Sequence, residues 1–393
     1  MPHRPLFGAA AMLWPVAGLW WYLRLRGGQT TLLPAAALHG LLMGLGVIPL
    51  FIAGFAFTTL PRWLGLPAQS ARGLWAPAAG IWLAWCALLL ADGLGLRLVA
   101  ALAALLIGLL LAGLALRLLL LCRLPAARFS PHALGLIAGL AWIGLSQMLA
   151  ALAIGLDRLL LLQVAARLGL CLGVAGVFAL ALQRLTPFLH QQGRRAPALF
   201  AALLTGLAAR SGLELAGLSG RRPSAGLAAI AAIGFAALAL LLWRDARRPE
   251  LAAARRTPLV AQLYIGYLWL GLSFALEAWA QAAAALGLGS ELGLGLAPLH
   301  ALSLGFMGGT LLAMVSRVTA VQQGRSVAVD AWLWVLQALL QALTLARLFG
   351  AIWPAAAGFL LPYAAAGFAL LGLGWAGRYL PWLLRRPAAR MPP

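Results

Sequence analysis

Lysine is missing from this chain and acid is scarce: all 29 basic residues are arginine, against 8 Asp and Glu. Charged residues make up only 9% of 393 positions, while 64% are apolar and the mean hydropathy is +0.96. A water-soluble domain of this size needs a charged surface that these numbers do not supply, so a soluble globular fold is excluded. The three cysteines, Cys86, Cys122 and Cys171, lie far apart and form no CxxC pair, which excludes a disulfide framework. No Walker loop, no GxGxxG opening a helix, no HExxH and no GxSxG occurs, so the common nucleotide, zinc-protease and serine-hydrolase sites are absent. No helix carries adjacent or i, i+4 histidines, which argues against a complete haem–copper oxygen-reducing centre. The apolar runs are continuous rather than alternating, which excludes a β-barrel.

What remains is an all-α, polytopic membrane protein. A span needs roughly 20 apolar residues. About twelve are expected, near 5–23, 34–59, 74–91, 98–121, 133–154, 159–183, 197–218, 225–243, 258–279, 297–316, 331–349 and 353–377. No gap between them holds an extramembrane domain, so residues 1–393 read as a single transmembrane domain. The stretch after MPHRP lacks a small-residue cleavage site and reads as a retained first helix.

The net charge of +21 invites a nucleic-acid reading. The arginines, however, stand singly or in pairs at the ends of apolar runs, as membrane topology places them, so no nucleic-acid partner is expected. With the N-terminus in the cytoplasm, 19 arginines fall on the cytoplasmic side and 7 on the other; Arg117, Arg167 and Arg210 fall inside spans. That split puts both termini inside.

Two histidines stand out. His39 in LHGLLMGLG and His300 in LHALSLGFMGG lie in the second and tenth spans, both of which then begin on the outer side. At 1.5 Å per residue they sit roughly 7 Å and 5 Å deep. Intramembrane histidine is costly and usually faces a site. Two at one depth could hold a metal or a haem iron; the alternative is that each bonds a carbonyl near the interface. Residues at i+4 and i+7 share a helix face, which sets Met43 and Gly46 beside His39, and Leu304 and Met307 beside His300. Gly44, Gly46 and Gly305 could open a slot for a flat macrocycle, or simply let helices pack closely. Met43 and Met307 are thioether candidates or core fillers. Glu277 could orient a ligating histidine or carry protons, or snorkel to water. Arg210 pairs with Glu214 at i, i+4, or with Arg347 meets haem propionates. His132 and His190 fall on the opposite side, and His3 in the terminal tail.

The stretch from His39 to Pro67, HGLLMGLGVIPLFIAGFAFTTLPRWLGLP, resembles the NnrS family pattern of HAHEMLFG followed by AGFLLTA. The stretch from His300 to Arg325, HALSLGFMGGTLLAMVSRVTAVQQGR, resembles its HALTVG, VMTR and GHTGR segments, with Arg317 and Arg325 on the motif arginines. The resemblance implies a multi-pass protein of the bacterial cytoplasmic (inner) membrane, tied to the nitric oxide response and denitrification, that binds haem and copper. This chain has Leu41 and Leu42 where the pattern has His and Glu, and Gln322 where GHTGR has its His. A haem b with two axial histidines survives these changes; a separate copper site is put in doubt. Haem–copper oxidase main subunits offer a looser architectural analogy, with haem histidines in the second and tenth of twelve helices.

The expectation is therefore an NnrS-like haemoprotein in the lipid bilayer, with His39 and His300 as axial ligands near the periplasmic face. Its partners would be nitric oxide or another diatomic gas, and a redox partner the sequence does not name; no turnover reaction follows. The alternatives are a small-solute or metal-ion transporter, which predicts broken helices, and a non-catalytic membrane partner of a respiratory complex.

Overall fold

In a bilayer the backbone has no water to bond, so each apolar run closes its hydrogen bonds within one helix. A computed structural model of the chain describes residues 1–27, 31–185, 195–248, 256–289, 292–324 and 330–385. No strand occurs among them. Among the described residues, twelve helices are long and apolar enough to cross a membrane. They are α1 His3–Leu25, α2 Ala35–Trp63, α3 Arg72–Gly93, α4 Arg97–Cys122, α5 Pro131–Gly155 and α6 Leu159–Gln183. The second half continues with α7 Ala198–Leu218, α8 Ala225–Ala246, α9 Pro258–Ala285, α10 Ala297–Gln322, α11 Ala331–Ile352 and α12 Pro354–Leu384.

The helix ends follow local chemistry. Ser130, Ser224 and Asp330 accept the backbone N–H three residues on and so cap α5, α8 and α11. Gly65 (φ 71°) and Gly287 (φ 75°) take the left-handed conformation just beyond α2 and α9.

Among the described residues, three spans contain a π-helical segment. Residues Met43–Val47 of α2, Gly169–Val174 of α6 and Ala301–Gly308 of α10 are π-helical. These are also the most enclosed spans, with 78%, 67% and 83% of their apolar stretch buried. In α2 the cause is visible. Pro49 lacks an N–H and its ring would strike the carbonyl of Leu45 in a regular helix, so the wider turn relieves it. All three segments contain glycine, which lowers the barrier to an irregular turn.

The helices gather into two compact units. The first comprises Met1–Leu180, Val315–Ser326 and Gly372–Pro393. Within it, α4 and α5 meet backbone to backbone. A Cβ on Gly108 would lie 2.9 Å from the Gly144 carbonyl oxygen, and one on Gly144 would lie 2.9 Å from the Ala112 nitrogen. The π segments of α2 and α6 also pack together, with Leu170 against Gly44 and Leu45 against Gly169. An aromatic core joins Phe7, Trp14, Phe51, Trp375 and Tyr379, and Trp375 Nε1 donates to Ser316 Oγ at 2.9 Å. Leucines 98, 102, 109 and 116 line the exposed face of α4, as contact with lipid tails requires.

The second unit comprises Ala181–Met314 and Val327–Leu371. Here α8 and α9 pack closely, the Trp243 indole lying over Gly271. Near the start of α9, Tyr267 donates to Asp245 at 3.1 Å, and Asp245 pairs with Arg248 at 3.0 Å.

Candidate functional site

His39 belongs to the first unit and His300 to the second. His39 is half-buried, one turn ahead of the π segment of α2. Its ring stacks on Trp21 of α1, with centroids 4.1 Å apart and 28° between planes. Trp21 in turn stacks on Trp20 at 5.9 Å. This aromatic wall holds the imidazole on one side of α2.

His300 is 8% exposed and immediately precedes the π segment of α10. Its Nδ1 lies 2.8 Å from the Leu296 carbonyl oxygen. A carbonyl only accepts, so the contact puts the proton on Nδ1 and the ring's lone pair on Nε2. A carbonyl bond of this kind fixes both tautomer and orientation in ligating histidines.

The same end of α10 is tied to α7 and α9. Arg210, 1% exposed, uses all three guanidinium nitrogens. Nε donates to Glu214 at 3.1 Å, Nη2 lies 3.5 Å from Glu277, and Nη1 donates to the Pro298 carbonyl at 3.4 Å. Glu277 also accepts from Gln281 at 3.1 Å. The expected Arg210–Glu214 pair is therefore part of a triad, and Glu277 faces an arginine.

The remaining candidates fall in several places. Gly44 and Gly46 receive Leu170 and the Trp85 ring. Gly305 receives the Trp269 indole, whose ring carbons would lie 2.5 Å from an added Cβ. Met307 is fully buried and Met43 half-buried. The i+4 and i+7 spacing that aligned them with the histidines holds for an α-helix; the π turns break that alignment. Arg347 is half-buried on α11 and Arg317 exposed on α10. Arg325 and His190 lie outside the described residues. His132 packs edge-on against Trp63 at 6.4 Å. His3 does not lie in a tail: it opens α1, is 1% exposed and packs edge-on against Phe7.

Among the described residues no three His, Cys, Asp or Glu side chains are grouped to hold a metal ion. Sequence reasoning passed over the buried glutamines Gln147, Gln262 and Gln337, each at most 1% exposed. A lone carboxamide within an apolar run was the signal that could have found them.

No curated protein matches the chain. The family profile described as "NnrS protein" matches residues 1–386, far beyond the two histidine stretches. With essentially its whole length covered by that match, the chain belongs to the NnrS family.

Proposed function

We propose that this NnrS-family membrane protein is a haemoprotein of the nitric oxide response, with His39 and His300 as the axial ligands of a b-type haem. The observation that carries the reading is the treatment given to the two histidines. Each stands just ahead of a π-helical segment in one of the three most enclosed spans, and such segments recur at functional sites. The donor set fits the group. His300 is locked by a carbonyl in the tautomer that ligates through Nε2, and His39 is oriented by Trp21. When bound, the haem would supply one-electron chemistry and, with one axial ligand released, a position for a diatomic gas.

Arg210 positions rather than ligates: it holds the Pro298 carbonyl, two residues ahead of His300. Arg347, half-buried on α11, is the cation assigned to a propionate in this reading. The arginine distribution supports cytoplasmic termini and a haem near the periplasmic face of a bacterial inner membrane.

The test is an optical spectrum of the detergent-purified protein, oxidised and dithionite-reduced, with pyridine haemochrome quantitation, for wild type, His39→Ala and His300→Ala. Near one haem per chain, lost or turned high-spin in both variants, is the expected result. A monodisperse, haem-supplemented preparation that holds no haem would overturn it and favour the transport reading.

A further inference from the structure

The ninth span carries polar side chains along one buried face. Gln262, Gly266, Trp269, Ser273 and Glu277 recur at helical spacing, and all five are buried. From Gln262 to Glu277 the row runs roughly 22 Å at 1.5 Å per residue, most of the thickness of a bilayer core. The eleventh span offers a matching row of Gln337, Gln341 and Thr344, and the two are joined where Trp269 Nε1 donates to Gln341 Oε1 at 2.5 Å.

Several of these groups lack a hydrogen-bond partner among the described residues. Both amide atoms of Gln262 and of Gln337 do, as do Thr310 Oγ1 and Gln341 Nε2. Gln262 is 0%, Gln337 1% and Thr310 5% exposed. Glycines let the neighbouring backbones close up on them. A Cβ on Gly266 would meet Thr310 Oγ1 at 2.9 Å, and one on Gly309 would meet Gln337 Nε2 at 3.5 Å and Gly266 Cα at 3.8 Å. Thus Gly266, Gly309, Thr310 and Gln337, all residues of the second unit, bring an amide, a hydroxyl and two glycine backbones to one place.

Orphaned amides this deep are strongly disfavoured in a hydrocarbon setting. Sites that offer a water two to four polar partners are where buried water binds. We infer that Gln262, Thr310 and Gln337 form an intramembrane water-binding site, a hydrated polar file along α9. Its ligand is water, and the inference stands whether or not haem binds.

Cysteine accessibility in nanodiscs tests it. In a background with Cys86, Cys122 and Cys171 replaced by alanine, Gln262→Cys, Thr310→Cys and Gln337→Cys are treated with a small charged methanethiosulfonate. Leu263→Cys on α9 and Leu340→Cys on α11, at 4% and 1% exposure, are the dry controls. Modification of the three test positions at least 10-fold faster than the controls is expected, because a thiolate forms only where water reaches. Equal, slow rates at all five would overturn the proposal. Should the cysteine variants fail to purify as single species, Gln337→Leu decides: Tm falls if a hydrated amide is lost, and rises if a dry, unsatisfied one is relieved.

Discussion

Arg210 Nη1 donates to the carbonyl oxygen of Pro298, two residues ahead of His300. One buried guanidinium thereby ties α7 to the turn that launches the histidine, while Glu214 and Glu277 balance its charge. The arrangement makes the start of α10 dependent on a side chain 88 positions earlier.

Arg210→Met leaves two carboxylates without their cation. Breaking a buried pair by removing one partner costs about 3–5 kcal/mol, so Tm should drop by more than about 5 °C. Arg210→Met combined with Glu214→Gln and Glu277→Gln should recover part of that loss. Thermal unfolding in detergent, followed by size-exclusion chromatography, checks it. A triple variant no better than the single one would show that charge balance is not what the triad supplies.

Trp21→Ala removes the surface on which His39 stacks. An aromatic contact of this type contributes about 0.5–1.5 kcal/mol beyond burial. If His39 ligates haem as proposed, the expected outcome is a small fall in Tm with a larger effect on haem content, because the imidazole loses its fixed orientation. Trp21→Phe should retain most of both. Equal haem occupancy in Trp21→Ala and wild type would show that the stack does not orient the ligand.

Two glycines on α4 make a matched pair. Gly108→Ala places a methyl 2.9 Å from the Gly144 oxygen and the Met148 nitrogen, both backbone atoms that cannot swing aside. It should cost about 1–3 kcal/mol as overpacking. Gly113→Ala meets nothing within 4 Å and should be neutral or mildly stabilising, by at most about 1 kcal/mol. Parallel thermal melts separate the two.

Gly305→Ala drives a methyl into the Trp269 indole and should break the Trp269–Gln341 bond. Tm should fall by an amount consistent with about 1–3 kcal/mol. Gly305→Ala combined with Trp269→Leu should restore part of it, since the smaller ring-free side chain makes room. If the double variant is no more stable than the single one, the indole is not the obstruction.

Much of this was legible in the chain. Composition and run length dictate twelve spans, and the ends at Gly93, Cys122 and Gly155 fall within two residues or so of where the apolar runs stop. The Arg210–Glu214 pair follows from i, i+4 spacing, and the family follows from the His39 and His300 stretches. Other features were not readable, for physical reasons. A π turn arises from a conflict between local hydrogen bonding and packing, so the helical period that aligned Met307 with His300 silently fails within Ala301–Gly308. Glu277 meets Arg210 across two helices, which no spacing rule reaches. His3 looked like part of a tail because a terminal residue carries no neighbours on one side; its burial comes from α1 and its surroundings.

The membership of the first unit bears on how the protein is made. Its aromatic core needs Trp375 and Tyr379 from the last helix, and Ser316 from the tenth. A ribosome delivers the first six spans early, yet Trp14 and Phe51 must wait for α12 before their core is complete. The N-terminal half therefore finishes last. Losing the end of α12 would unsettle helices made at the start of synthesis rather than those made beside it.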